Sequence, residues 1–179
     1  MKANNINERL SFQKTNLLMK IQEQQLLKKI RIWIILFIIA LVLSGITAFP
    51  IEIQLNFAVN HMSFLPDFLF DWINEVYQAV VATNATFPFL AYGTDWLAFA
   101  HIVIGVAFIG PLRDPVKNIW IIQFGMIACV MVIPLALIAG YIREIPFFWR
   151  MIDCSFGVFG IIPLYIVFKH IKKLEQIQF

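Results

Sequence analysis

Residues 32–49, IWIILFIIALVLSGITAF, carry no charged side chain. A helix rises 1.5 Å per residue and a hydrocarbon core roughly 30 Å thick takes about 20 apolar residues, so this run reads as a transmembrane helix. Three further runs share its character. Residues 96–112 hold one ionisable group, His101; residues 119–141 are long and uncharged; residues 151–168 hold Asp153 near their start. Of the whole chain 60% is apolar and 14% charged, against about 45–50% and about 25% in an ordinary soluble domain. Such a composition excludes a disordered chain, and with Gly 8, Pro 8 and Cys 2 it also excludes collagen and disulfide scaffolds.

The placement of Lys and Arg sets the expected orientation, because cytoplasmic flanks carry the excess. Of the 14 basic residues, seven precede the first run, Arg113 and Lys117 lie between the second and third, and Lys169, Lys172 and Lys173 follow the fourth. Residues 50–95 contain none, and only Arg143 and Arg150 fall between the third and fourth runs. Both termini are therefore expected in the cytoplasm, which demands an even number of spans. A cleaved signal peptide fits the first run poorly: its n-region would be about 31 residues long, and Thr47-Ala48 lacks a small-x-small site. The expected fold is all-α and integral to the membrane: four transmembrane helices in a bundle, plus an outer interfacial helix. The segments are 1–31 (cytoplasmic, basic, amphipathic), 32–49, an external loop 50–95, 96–112, a cytoplasmic turn 113–118, 119–141, an external loop 142–150, 151–168 and a basic tail 169–179.

Two of the flanking segments have patterns of their own. Residues 10–30 mix basic groups with Leu17, Leu18, Ile21, Leu26 and Leu27, and two accounts are open: a helix lying on the anionic inner leaflet, or a helical extension of the first span. In the external loop, Leu69, Trp72, Ile73, Val76, Tyr77 and Val80 recur at three- and four-residue spacing. That spacing predicts an amphipathic helix over about 66–83, with Pro66 and Asp67 suited to its first turn.

Helices in lipid associate where small residues allow close approach. Ala98, His101 and Gly105 share one face of the second span; Gly125, Ala128, Val132, Ala136 and Ala139 one face of the third; Asp153, Gly157, Gly160 and Leu164 one face of the fourth. Helical rise places His101 about 9 Å below Asp95, and Asp153 with Cys154 about 3–6 Å below Arg150. His101, Asp153, Asp95, Arg150, Arg143 and Cys154 are therefore the candidate ligand-binding or proton-titrating residues, at one level near the outer surface. The bland account stands beside it: Asp153 caps the N-terminus of the fourth helix and pairs with Arg150 one turn earlier, and His101 bonds a backbone carbonyl freed by a kink. Gly110-Pro111-Leu112-Arg113-Asp114-Pro115 reads as a helix terminator with a topology anchor.

Known chemistries find little support. Three His without an HExxH or His-box spacing do not make a membrane metalloenzyme, and His101 and His170 lie near opposite surfaces, too far apart to share a haem. Cys129 and Cys154 are about 10 Å apart along the axis, beyond disulfide reach. No nucleophile elbow or phosphate loop occurs, no cofactor is expected, and the basic residues flank spans rather than forming a nucleic-acid patch. Three functional classes follow: a non-enzymatic structural, accessory or binding component of a cytoplasmic-type membrane, bacterial inner membrane above all; a lipid or hydrophobic-ligand enzyme or binder using the His101–Asp153 level; and a subunit of an oligomeric transporter or channel. The corresponding partners are the lipid bilayer, further copies of the chain or other membrane proteins, and a hydrophobic ligand. Nucleic acid is not among them.

Overall fold

The computed structural model describes residues 2–62 and 64–178. Among the described residues seven α-helices and one short 3-10 turn follow one another: α1 (Lys2–Ala48), α2 (Ile51–His61), α3 (Asp67–Thr86), the 3-10 turn (Pro88–Leu90), α4 (Ala91–Ala107), α5 (Ile109–Arg113), α6 (Ile119–Ile142) and α7 (Phe147–Gln178). No strand occurs among the described residues. Four helical segments, Arg9–Ala48, Pro88–Arg113, Ile119–Ile142 and Phe147–Gln178, are long and apolar enough to cross a membrane. The chain divides into two compact units, Met1–Ile38 with Ala107–Phe179, and Ile39–Val106.

In the first unit, α6 and α7 form a closely packed antiparallel pair. Gly125 and Gly157 are both buried at this seam. A Cβ on Gly157 would meet the backbone carbonyl of Cys129, and one on Gly160 would lie 2.9 Å from the Cys129 Sγ. A Cβ on Gly125 would lie 2.7 Å from Phe108 and 2.9 Å from Leu164. These glycines set the approach because a hydrogen occupies the space that a methyl would claim. The corner between the helices is a Schellman turn: the Ile145 N–H donates to Gly140 O (2.9 Å) and the Glu144 N–H to Tyr141 O (3.1 Å). Glu144 takes the left-handed position of that motif, with φ 60°, where glycine is the usual occupant.

Below the seam α7 continues as a helix whose buried residues Leu164, Val167, Ile171 and Leu174 are spaced three, four and three apart. This is the spacing of a coiled-coil seam. On α1, Leu26, Ile30 and Ile34 are buried at four-residue intervals. The two helices meet where Gln178 Nε2 donates to Glu23 Oε1 (2.7 Å) and where the Phe37 ring comes within 4.0 Å of a Cβ built on Gly160. Phe37 also packs at a tilt against the buried Phe108, their ring centroids 4.8 Å apart. Residues 10–30 thus belong to one unbroken helix with the apolar run that follows, the second of the two accounts open from sequence.

The second unit is built differently. α3 has the expected sidedness: Leu69, Trp72, Ile73, Val76, Tyr77 and Val80 are half-buried, whereas Asp71, Glu75 and Gln78 are exposed. Its partner α2 was not legible from periodicity. Ile51, Ile53, Leu55, Phe57 and Val59 alternate with other residues, which is the period of a strand. The same segment also offers two rows at helical spacing, Ile51, Leu55 and Val59, and the polar Glu52, Asn56 and Asn60. Asn84 Nδ2 donates to Glu52 Oε2 (2.6 Å), Asn56 Nδ2 to the Tyr77 hydroxyl (2.6 Å) and Asn60 Nδ2 to Asn56 O (2.8 Å). The pair is therefore joined in part by an amide–carboxylate and an amide–phenol bond; Leu55 and Val59 of α2 are half-buried, whereas Ile53 and Phe57 point outward, 72% and 60% exposed. At the other end of this unit, α1 and α4 approach closely at Gly45, where a Cβ would lie 2.7 Å from Ala98 O.

Candidate functional site

The six candidate residues divide between the units. His101 and Asp95 lie on α4 in Ile39–Val106; Asp153, Cys154, Arg150 and Arg143 lie on α7 and the α6–α7 corner in the other unit.

His101 is half-buried, and its Nδ1 lies 2.8 Å from Leu97 O. A carbonyl oxygen only accepts, so Nδ1 carries a proton and donates. His61 and His170 do the same, with Nδ1 at 3.0 Å from Phe57 O and 2.6 Å from Ile166 O. Each histidine satisfies itself on the carbonyl one turn back in its own helix. Asp95 is half-buried at the first turns of α4, and its carboxylate makes no hydrogen bond or ion pair among the described residues of its unit.

Arg150 is a corner brace. Its aliphatic stem crosses the α6–α7 turn, with Cδ 2.7 Å and Cγ 2.8 Å from a Cβ built on Gly140. The guanidinium lies 5.9 Å from the Tyr141 ring centroid and 5.4 Å from that of Phe147, within the range of cation–π attraction. Its NH1 points at Leu137 O from 3.5 Å. The brace is not joined by Asp153: the ion pairs among the described residues are Lys117–Asp114 and Lys172–Glu175. Asp153 is half-buried in α7, and its carboxylate has neither a hydrogen bond nor an ion pair among the described residues of its unit. Arg143 is the exposed C-cap of α6, its N–H donating to Ala139 O. Cys154 is a half-buried free thiol, as is Cys129.

The turn between α5 and α6, a helix terminator in the sequence, holds an ionisable arrangement. Asp114 Oδ1 accepts from the Lys117 backbone N–H (3.1 Å) and Oδ2 faces Lys117 Nζ at 3.3 Å. The backbone N–H bond, aided by the ammonium, holds the Asp114 carboxyl below the usual aspartate range. Asn118 Nδ2 closes the turn by donating to Asp114 O (2.8 Å). The signal was present in the sequence as Asp114 three residues before Lys117, an i,i+3 pair. The part played by Arg150 was signalled only by aromatic residues on both sides of the corner.

Among the described residues no three His, Cys, Asp or Glu gather at metal-binding distance. No protein-family model, no curated protein and no solved structure matches the chain.

Proposed function

We propose that this chain is an integral protein of a cytoplasmic-type membrane such as the bacterial inner membrane, spanning it four times with both termini in the cytoplasm, and that it serves there as a non-enzymatic structural, accessory or binding component. The distribution of Lys and Arg supports the orientation. The observation that carries the functional reading is the shared bonding of the histidines. His101 is held as His61 and His170 are, by a carbonyl of its own helix, while Arg150 is spent on a turn. The spans also leave much apolar surface outward: on α6, Phe124, Met131, Leu135 and Ile138 are each at least 42% exposed. Lipid tails or neighbouring membrane proteins cover such surfaces. The α2–α3 pair, with Ile53 and Phe57 outward, suits the outer interface.

The alternative, a lipid or hydrophobic-ligand enzyme or binder, is favoured by one observation: the Asp153 side chain has no partner among the described residues of its unit, and an ionisable residue inside a span is a functional candidate by default. Complementation of a deletion strain separates the two. The structural reading expects His101→Ala and Asp153→Asn to restore the parental growth and lipid profile at normal protein level; loss of complementation by either, with insertion intact, overturns it in favour of the alternative. Alkaline phosphatase fused after Asn60 or Glu144 is expected to be active, and after Lys117 inactive. The reverse pattern overturns the orientation.

A further inference from the structure

In the unit formed by Met1–Ile38 and Ala107–Phe179 two shallow grooves adjoin, sharing Leu27 and Arg31. One, about 350 Å³, runs along α1 past Lys28 and Arg31 to Ile32 and Ile35. The other, about 380 Å³, lies between α1, the α5–α6 turn and the end of α7, and adds Arg113, Asp114 and Lys117. Four cations thus line a continuous surface with a single carboxylate. That carboxylate is already engaged by the Lys117 ammonium at 3.3 Å and backbone N–H at 3.1 Å. Lys28, Arg31 and Arg113 have no ion-pair partner among the described residues.

We infer that this surface is a binding site for an anionic phospholipid, its phosphate held between Arg31 and Arg113 and an acyl chain laid along Ile32 and Ile35 of α1. Residues 28, 31, 32 and 35 fall on one face of the helix, so cations and apolar wall succeed each other along a single line. A free anion would have no use for that wall; a lipid needs both parts. Arg31 and Arg113 come from different helices, and the planar guanidinium suits bidentate contact with phosphate. Ile32 and Ile35 are 47% and 43% exposed, leaving room for a chain. Basic pockets between spans at the cytoplasmic surface are a known means of holding anionic headgroups. The inference rests on the chain being integral to a membrane, as proposed above.

The test uses the full-length chain purified in a zwitterionic detergent, with bound lipid read by native mass spectrometry during titration with phosphatidylglycerol or with phosphatidylcholine of the same acyl chains. Retention of phosphatidylglycerol is expected to be at least tenfold stronger. Each of Arg31→Gln and Arg113→Gln is expected to weaken it about fivefold, and the pair about 30-fold. Lys169→Gln with Lys173→Gln is expected to leave it within twofold. Equal retention of the two lipids, an unchanged Arg31→Gln/Arg113→Gln variant, an equal loss in the lysine pair, or displacement by inorganic phosphate at the lipid's own concentration would each overturn the site. Unchanged thermal unfolding of the variants in detergent shows that they fold. Alkaline carbonate extraction tests the underlying reading separately: a chain released from membranes overturns that reading, whereas a retained chain without lipid preference overturns only the groove.

Discussion

Between α6 and α7 the helices are separated by little more than glycine hydrogens; between α2 and α3 amide, carboxylate and phenol groups bond across faces whose apolar residues are no more than half-buried. Of the fully described buried hydrophobic residues, all except Ala98 lie in the unit containing α6 and α7. The unit Ile39–Val106 has instead the Asn84–Glu52 and Asn56–Tyr77 bonds, both at 2.6 Å. Both units contain apolar helices, but all 14 basic residues of the chain lie in the unit containing α6 and α7. Close contact forfeits no dispersion energy and excludes water and lipid alike, whereas a polar seam exchanges hydrogen bonds with solvent and nets little. The contrast teaches where stability is concentrated and where movement is cheap.

The largest test strikes the buried row of α7. Ile171→Ala, at a fully buried position, is expected to cost about 3–4 kcal/mol, seen as a lowered unfolding temperature in detergent. Gly157→Ala is expected to cost about 2–3 kcal/mol, since the new methyl meets the Cys129 carbonyl and the backbones have to part. Proximity crosslinking between α6 and α7 would register the separation. In the other unit, Asn84→Ala leaves the half-buried Glu52 carboxylate without its donor and is expected to cost about 1–2 kcal/mol, with faster amide exchange confined to residues 51–86. Should Asn84→Ala cost as much as Ile171→Ala, the contrast between the seams is broken.

Two smaller effects sharpen it. Glu144→Gly relieves a left-handed residue at the α6–α7 corner and is expected to raise stability by up to about 1 kcal/mol; a drop in unfolding temperature would count against the Schellman geometry. At the α5–α6 turn, the Asp114 carboxyl is held low by the Lys117 N–H. Its folded value lies below its unfolded one, so its contribution is fully present above the ordinary aspartate range and is lost as pH falls through the lowered value. Being at the surface, the effect is small. Comparison of Asp114→Asn with the parent along the acid limb of an unfolding-temperature profile is expected to show convergence at the lowest pH.

The candidate site was legible as residue types and depths but not as bonds. His101 stood out because an ionisable group in an apolar run is conspicuous, yet its bond to Leu97 O is the local one that His61 and His170 also make. Arg150 looked like a partner for Asp153 three residues on; the stem instead turns across Gly140 toward two aromatic rings, a choice made by the corner. Arg31 and Arg113 were visible only as topology markers, because their sharing of one groove depends on α1 meeting the end of α7.

The four long apolar helices and the sidedness of α3 follow from the sequence alone, since apolar length and 3.6-residue periodicity are properties of one segment at a time. Tertiary structure decided the rest. It made a helix of residues 51–61, whose alternating apolar residues suit a strand, because Glu52 and Asn56 find donors and acceptors on α3. It also joined residues 10–30 to the first span as one helix, buried on Leu26, Ile30 and Ile34. Those outcomes turn on contacts between distant segments, and the energy of such a contact is written in neither segment by itself.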